Sequence, residues 1–298
     1  MRIDELLATG RPFLSLEFFP PKDRRLWPGF FDTVRALAPV KPLFCSVTYG
    51  AGGSTQHNTL EIGVRLKQEY GLEPLTHLTC VGASEARLRA FLGPLVENGV
   101  ENVLALRGDP PRGESQFRPE SDQFQHASDL VRFIVSEYPG VCIGVAGYPE
   151  KHPEARSMEE DLVFLKHKVE AGASFVITQL FFDNDIYFRF VDRARAIGID
   201  VPIIPGVLPV QNLPALHRML SFCGASIPKD FLEDLTRAHE RYGDAGVRGL
   251  GLGYAMRQAA DLLQRGAPGV HLYTLNKADA CLEIGRHVAQ YLGLGGER

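Results

Sequence analysis

The sequence lacks the segments that would send a chain into or across a membrane. No apolar run approaches the roughly 20 residues that a spanning helix needs. The N-terminus carries Asp4 and Glu5 where a secretion signal has bases. Its five cysteines are far apart, without a Cys-x-x-Cys pair, which is typical of core cysteines in a reducing compartment. We therefore expect a cytoplasmic protein with no membrane partner.

Clustered positive charge and several well-known catalytic motifs are also missing. The 32 Lys and Arg residues are scattered and are outnumbered by 36 Asp and Glu residues, so nucleic acid is not an expected partner. The chain has no phosphate loop, no His-Glu-x-x-His, no Gly-x-Ser-x-Gly and no Gly-x-Gly-x-x-Gly after a strand. Its nine histidines form no close set of metal ligands, so we expect no metal site.

The sequence does contain eight short apolar runs that alternate with segments of helical spacing. Several of these segments stop at a glycine just before the next run, as at Gly99, Gly172 and Gly198. The alternation predicts an α/β protein, a single-domain (β/α)8 TIM barrel over residues 1–298. Two segments, Pro228–Tyr242 and Gly249–Gly266, predict an extra helical segment before the last strand. The apolar runs are Phe13–Phe19, Leu43–Tyr49, Pro74–Cys80, Asn102–Asp109, Val141–Tyr148, Phe175–Phe182, Val201–Leu208 and Val270–Asn276.

Two acids lie at the ends of predicted strands, where the active site of such a barrel is found. Glu17 interrupts the apolar first run, and apolar walls raise a carboxyl pKa, which is how enzymes make general acids near neutral pH. The alternative is a structural, hydrogen-bonded carboxyl. Asp109 follows Arg107 and Gly108 at the end of the fourth run; it is either the partner of an Arg107 ion pair or an electrostatic tuner.

Other polar residues are less specific by themselves. His77 on a strand is as compatible with a buried histidine whose ring nitrogens are hydrogen-bonded as with a ligand contact. Asp161 and Lys168 are compatible with a solvent-exposed helix face. Tyr148 and His152 are equally ambiguous when taken alone. The connection over residues 110–125 is long for a compact domain, which indicates either a ligand-contacting lid or disorder.

From these residues alone, two further functions stay open beside a cofactor-dependent enzyme. One is a barrel lyase or aldolase that uses Glu17 and Asp109 as an acid and base pair. The other is a non-catalytic module that binds folate or flavin.

Seven motifs, in order from about residue 13 to residue 276, resemble the bacterial methylenetetrahydrofolate reductases. Because they fall on successive strand ends in register, the resemblance is specific although each motif is short. The motifs are Glu17–Pro21, Val47–Ala51, His77–Cys80, Leu104–Asp109, Tyr148–Glu154, Ile177–Phe182 and Tyr273–Asn276.

The resemblance implies an FAD-dependent barrel that reduces 5,10-methylenetetrahydrofolate to 5-methyltetrahydrofolate with NADH or NADPH, for methionine biosynthesis in one-carbon metabolism. The nicotinamide and the folate take turns at the flavin, so it implies ping-pong kinetics. Glu17 would be the general acid that helps open the imidazolidine ring, and Asp109 would orient the pterin and tune the flavin. Gln179 and Lys277 would contact substrate. Relatives form dimers or tetramers, so a homo-oligomer is expected.

The same resemblance implies a set of flavin contacts on strands two to five and the helix after strand five. They are Thr48, Tyr49, Ala51, His77, Arg107, Gly108, Asp109, Ala127, Tyr148, His152, Asp161 and Lys168.

The chain departs from the enterobacterial pattern at five positions. Lys277 replaces an arginine and cannot make the same two-pronged grip. Phe164 and His167 replace Asn and Arg near the expected adenosine end of FAD, and Ala215 and Met219 replace Gln and Phe on the folate or nicotinamide wall. No acid or basic pair that would recognise the ribose can be picked out, so the choice between NADH and NADPH stays open.

Overall fold

A computed structural model describes residues 1–49, 56–108 and 123–293. Within these ranges eight parallel strands close into a barrel, in which each strand pairs with its neighbours in sequence and β8 pairs with β1. The predicted (β/α)8 barrel is confirmed, and each strand overlaps the apolar run that predicted it. The strands are β1 Phe13–Phe18, β2 Cys45–Val47, β3 Pro74–Thr79, β4 Asn102–Leu106, β5 Cys142–Gly147, β6 Phe175–Leu180, β7 Ile203–Val207 and β8 Gly269–Tyr273.

Helices on the outside of the barrel connect the strands. The predicted glycine stops are confirmed, because Gly99, Gly172 and Gly198 have φ values of 75°, 123° and 82° and each follows a helix by a few residues. The helices of the described ranges are α1 Ile3–Leu7, α2 Trp27–Ala36, α3 Gln56–Tyr70, α4 Glu85–Glu97, α5 Ala127–Glu137, α6 Met158–Glu170, α7 Asn184–Ala196, α8 Leu213–Cys223, α9 Lys229–Gln264 and α10 Asp279–Val288.

The extra helical segment before β8 is also confirmed. It forms α9, whose 36 residues are interrupted by a kink at Gly243, where φ is 61° and ψ is −152°. Phe231, Leu235 and Val247 of α9 are buried against Leu180 and Leu208, beside the C-terminal ends of β6 and β7. The segment therefore forms a wall beside the mouth of the barrel.

The lower half of the barrel interior is filled by aromatic side chains. Phe13, Phe44 and Phe175 are buried there. The centroid of the Phe44 ring lies 6.0 Å from that of Phe13 and 6.1 Å from that of Phe175. Gly144 makes room for Phe175, since a Cβ atom at Gly144 would lie 2.5 Å from that ring. With Ile3 of α1 packed into the same cluster, apolar side chains fill the barrel interior at the N-terminal end of the strands.

The chain segments described in the structure include no helix that combines the length and apolar character needed to cross a bilayer. Four of the five cysteines, Cys45, Cys80, Cys142 and Cys281, are buried, as expected for core residues, and Cys223 is partly exposed.

Candidate active site

Glu17 lies near the C-terminal end of β1 and points into the barrel. The strand register places it opposite Ser46 of β2 and Tyr273 of β8. Because side chains alternate across a strand, Ser15 shares its face, and Ser15 is opposite His271 of β8. Only 7% of Glu17 is exposed, so its carboxylate must find partners among these neighbours.

Two histidines and a serine surround one carboxylate oxygen of Glu17. Oε2 lies 3.4 Å from Oγ of Ser46, 3.5 Å from Nε2 of His77 and 3.6 Å from Nε2 of His271. On its other side, the His271 ring places Nδ1 2.8 Å from Oγ of Ser15. Glu17, His77, His271, Ser15 and Ser46 thus form one polar layer above the aromatic filling, which we call the Glu17 cluster.

The prediction that apolar walls raise the pKa of Glu17 is wrong. Burial does favour the neutral acid, but the His271 and His77 rings that face the carboxylate outweigh it, so the pKa of Glu17 lies below its usual value. Burial lowers the pKa of His77 to about 4, although Glu17 opposes this shift. Near neutral pH, Glu17 is therefore ionised and His77 is uncharged.

The end of β8 fixes the position of β1 beside it. The hydroxyl of Thr274 donates to the carbonyl oxygen of Glu17 at 2.6 Å. The Asn276 side chain accepts from the N–H of Phe19 at 2.9 Å and donates to its carbonyl oxygen at 2.7 Å, as a neighbouring strand would. Leu275 and Asn276 adopt left-handed φ values of 50° and 56°. Residues other than glycine rarely adopt this conformation, so local hydrogen bonds must stabilise it here.

Tyr273 spans the top of the barrel from β8 to β6. Its hydroxyl donates to the carbonyl oxygen of Thr178 at 2.8 Å, passing over Gly206, where a Cβ atom would lie 2.6 Å from that hydroxyl. The β6–β7 register shifts between Ile177 and Leu180, next to this contact. Gln179 lies in the shifted stretch, and its Oε1 accepts from the backbone N–H of Leu180 at 2.9 Å.

The predicted substrate contacts occupy different parts of the mouth. Gln179 lines a small cleft together with Tyr148 and Cys223. Lys277 is exposed, and its ammonium donates to Oε1 of Gln211 at 2.8 Å, so it lies on the rim. Ala215 and Met219 are partly buried on α8.

A second polar group lies at the ends of β4 and β5 and on α6. The Arg107 guanidinium makes a two-pronged ion pair with Glu154, at 2.6 Å and 2.7 Å. The Tyr148 and His152 rings meet edge to face with 4.7 Å between centroids, and the backbone N–H of His152 donates to Oδ2 of Asp161 at 2.9 Å. The structure therefore brings together several predicted flavin contacts that are far apart in sequence.

Lys168 belongs to this second group and carries a partly desolvated cation. Its ammonium donates to the carbonyl oxygen of Ala146 on β5 at 2.5 Å. Burial lowers the pKa of Lys168 to about 8, while Asp161 acts in the opposite direction. An ammonium that has lost water without full neutralisation favours binding of an anionic group.

Two buried polar groups bear on which ligand the mouth could hold. Nε2 of His77 is buried and makes no well-aligned hydrogen bond with any residue that the structure describes. The Lys168 ammonium lies beside the Tyr148 and His152 end of β5. A ligand with an anionic group, such as a pyrophosphate near Lys168, would pair with that ammonium.

Other predicted residues lie at the edge of this arrangement or outside the described ranges. The Tyr49 ring packs edge to face against Phe91 of α4, in the outer core. Thr48 donates its backbone N–H to the carbonyl oxygen of Phe18 at 3.0 Å. Ala127 begins α5. Phe164 and His167 are exposed on α6.

Three predicted positions concern the ends of β2 and β4. Ala51 and Asp109 lie outside the described residues, as does most of the predicted 110–125 loop. Gly108, which precedes Asp109, has a φ of 89°, and a Cβ atom there would lie 2.7 Å from Val81. The requirement for glycine at this turn is therefore steric as well as conformational.

Sequence reasoning missed three members of the Glu17 cluster, namely Ser15, Ser46 and His271. The sequence contains a pattern that could have identified them, because Ser15 and Glu17 alternate with apolar residues in a strand predicted to be buried on both faces. His271 and Tyr273 repeat this alternation in the last strand. Polar residues at every second position of such strands indicate a polar layer inside the barrel.

Comparison with known proteins gives a consistent family assignment. The methylenetetrahydrofolate reductase family model matches residues 2–289. The chain is 40% identical over 295 residues to methylenetetrahydrofolate reductase (NADH) 1 of Arabidopsis thaliana, covering 95% of this chain and 49% of the plant protein. It is 40% identical over 284 residues to 5,10-methylenetetrahydrofolate reductase of Escherichia coli, covering 93% and 90%. The chain thus spans about half the length of its plant relatives.

Solved structures with low sequence identity share the barrel. An uncharacterized protein from Clostridium thermocellum that binds two copies of 5-methyl-5,6,7,8-tetrahydrofolic acid aligns with a TM-score of 0.66 at 13% identity, over 97% of this chain and 99% of that one. Oxaloacetate acetylhydrolase aligns with a TM-score of 0.53 at 10% identity, over 100% and 88%. At these identities the likeness is one of fold.

Proposed function

The chain belongs to the methylenetetrahydrofolate reductase family, and on that basis we propose that it reduces 5,10-methylenetetrahydrofolate to 5-methyltetrahydrofolate, with FAD as cofactor and NADH or NADPH as electron donor. The proposal includes one FAD-binding barrel over residues 1–298, ping-pong turnover, and a cytoplasmic homo-oligomer that serves methionine biosynthesis. The observation that carries it is the buried Glu17 carboxyl, which faces His77 and His271 at the mouth of a barrel with this family's sequence pattern.

The cofactor part of the proposal rests on the donors around the mouth. When bound, FAD supplies the hydride chemistry. His77 would lie beside its ring system, and Lys168 and Arg107 would hold the pyrophosphate. Arg107 would have to share its guanidinium between Glu154 and the phosphates. The remaining proposed contacts are Thr48, Tyr49, Ala51, Gly108, Asp109, Ala127, Tyr148, His152 and Asp161.

Glu17 has the task of giving a proton to the nitrogen that leaves when the imidazolidine ring opens. Its position is set by the Thr274 hydroxyl on its carbonyl oxygen, and its carboxylate is shielded from solvent. Because the pKa of Glu17 is lowered, the carboxylate must receive a proton before it can give one. Asp109 is proposed to orient the pterin and to stabilise charge beside it, as the family pattern implies.

The folate side of the mouth is proposed to include Gln179 and Lys277. Gln179 lies beside Tyr148, so a ligand on the Tyr148 side of the mouth would come within reach of its amide. Lys277 lies on the rim, where its single ammonium suits the folate tail better than a two-pronged contact with the ring.

Purification followed by two separate half-reactions tests the proposal. We expect a yellow protein whose flavin is bleached by NADH or NADPH without folate and recovers when 5,10-methylenetetrahydrofolate is added. Comparing NADH with NADPH in the first step also gives the donor preference. A colourless protein that binds no added FAD would exclude the proposed function, and turnover of a hydroxy acid or keto acid without flavin would instead support a barrel lyase.

A further inference from the structure

His271 is a titratable side chain that the proposed mechanism has not yet used. It has no exposed surface, and Phe44 stacks on its ring with 5.9 Å between centroids at 20°. Its two ring nitrogens face different partners, with Nδ1 2.8 Å from the Ser15 hydroxyl and Nε2 3.4 Å from the Ser46 hydroxyl. A buried imidazole with a polar partner at each nitrogen is held in one orientation.

The Ser15 hydroxyl can serve both protonation states of His271. A hydroxyl donates one hydrogen bond and accepts others, so it pairs with Nδ1 whether or not that nitrogen carries a proton. Nε2 points towards Oε2 of Glu17, at 3.6 Å. This distance exceeds a hydrogen bond by about 0.6 Å, and such contacts between catalytic groups often tighten when substrate binds.

The other titratable groups facing Glu17 in the described part of the chain do not supply its counter-charge. Burial holds the pKa of His77, on β3, at about 4, so this side chain is uncharged near neutral pH. Burial also raises the pKa of Tyr273, on β8, well above its ordinary value, so its hydroxyl stays neutral. Ser15 and Ser46 do not ionise. His271, whose Nε2 lies 3.6 Å from Oε2 of Glu17, is the remaining titratable neighbour.

We propose that His271 stores the proton that Glu17 delivers to the folate, an inference that rests on the proposed function. The bond between Nε2 and its proton breaks as the bond between that proton and Oε2 forms, and no electrons are exchanged with any other group. Neutral His271 then keeps the proton on Nδ1, which donates to Ser15. His271 acts through Glu17, as a positioning and proton-storing residue.

The electrostatics of the cluster favour this sequence of events. Before the transfer, the pair of anionic Glu17 and cationic His271 is neutral overall. After Glu17 has passed its proton to the leaving nitrogen, the pair carries one negative charge, which faces the positive charge that ring opening creates on the folate. A charge that develops next to a fixed opposite charge in a buried site is stabilised more than it would be in water.

The protonation of His271 can be measured in the wild-type protein without substrate or turnover. With 15N-labelled histidine and at about pH 6, we expect the His271 ring signals of a doubly protonated imidazole. In Glu17→Gln these signals should become those of a neutral ring, because the stabilising carboxylate is gone. A neutral His271 ring in the wild type would overturn the proposal.

His271→Gln gives the kinetic test, since the amide keeps an N–H group near the position of Nε2 but cannot ionise. We expect the folate half-reaction to slow at least 10-fold and to lose its dependence on pH around neutrality, while flavin reduction by NAD(P)H changes less than 2-fold. The 13C signal of the Glu17 carboxyl should titrate at higher pH than in the wild type. The exposed His287 supplies a matched control, His287→Gln, which should change none of these readouts.

The outcomes separate this inference from the proposed function. If wild-type protein fails either half-reaction, the proposed function is wrong. If wild-type protein performs both, and His271→Gln keeps the wild-type rate and pH profile or the wild-type titration of Glu17, the storage role is wrong although the enzyme assignment stands.

Discussion

The hydroxyl of Thr274 on β8 donates a hydrogen bond to the carbonyl oxygen of Glu17 on β1, with 2.6 Å between the two oxygens. The two residues are 257 positions apart in the chain, and the bond exists only because β8 closes the barrel against β1. The position of the proposed acid therefore depends on closure of the barrel between β8 and β1. A change that loosens the β1–β8 seam should affect the folate chemistry before it affects the outer helices.

Thr274→Val tests this coupling, because valine keeps the shape of the side chain and removes the hydroxyl. We expect the free energy of unfolding to fall by roughly 1–2 kcal/mol, because the hydroxyl donates to Glu17 and also accepts from the Asn276 N–H at 3.0 Å. We also expect the folate half-reaction to slow more than flavin reduction does. Thr236→Val is the matched control, since the Thr236 hydroxyl bonds a carbonyl on the exposed side of α9. It should change stability by less than about 0.5 kcal/mol. If the two variants lowered the free energy of unfolding equally in urea denaturation, the hydrogen bond between β8 and β1 would have no particular importance for stability.

Gly144→Ala tests how tightly the lower barrel interior is packed. A Cβ atom at this position would lie 2.5 Å from the Phe175 ring and 3.0 Å from Leu104, so Phe175 must move. We expect a loss of about 1–3 kcal/mol in the free energy of unfolding. Gly140 precedes the same strand and has no atom near an added Cβ, so Gly140→Ala should be neutral or slightly stabilising. Thermal and urea unfolding of both variants measure the difference, and a neutral Gly144→Ala would show that the ring packing is loose.

The buried His77 predicts that the FAD-free protein loses stability in mild acid. The folded-state pKa of about 4 is below the ordinary value of 6.5. The unfolded chain therefore binds more protons between these values, and stability falls as the pH is lowered through that window. From pH 7 to pH 5 the contribution of His77 is a loss of about 2 kcal/mol. His77→Gln, measured in urea at both pH values, should lose less than the wild type; an equal loss would mean that other groups cause the acid sensitivity.

Much of the fold could be predicted from the sequence, because strands, helices and glycine stops are signalled by residues close together in the chain. The positions of Gly99, Gly172 and Gly198 are examples, since each needs only its own helix to explain it. The pKa of Glu17 was predicted in the wrong direction for the opposite reason. Its partners Ser46, His77 and His271 come from three other strands, and their distances from Oε2 depend on the register of the closed barrel. A sequence pattern shows an apolar frame around Glu17 but not which polar groups reach across it.

Lys168→Met tests the proposed anion-binding role of the partly buried ammonium. We expect FAD affinity to fall at least 10-fold, about 1.4 kcal/mol, because the ammonium proposed to hold the pyrophosphate is removed. Stability of the FAD-free protein should not fall, since the cost of burying that charge disappears as well. Lys166→Met, on the same helix and more exposed, is the control and should leave FAD affinity within about 2-fold of the wild type. Isothermal titration of apoprotein with FAD measures both, and an unchanged affinity in Lys168→Met would remove Lys168 from the site.

The central claim is that Glu17 supplies a proton to the folate and takes no part in the reduction of the flavin. Stopped-flow measurement of the two half-reactions in Glu17→Gln tests it most directly. We predict that NAD(P)H bleaches the flavin within a few-fold of the wild-type rate, and that recovery with 5,10-methylenetetrahydrofolate slows by about 100-fold or more, the range that general acid catalysis supplies. Equal loss in both half-reactions, or recovery at the wild-type rate, would contradict the claim.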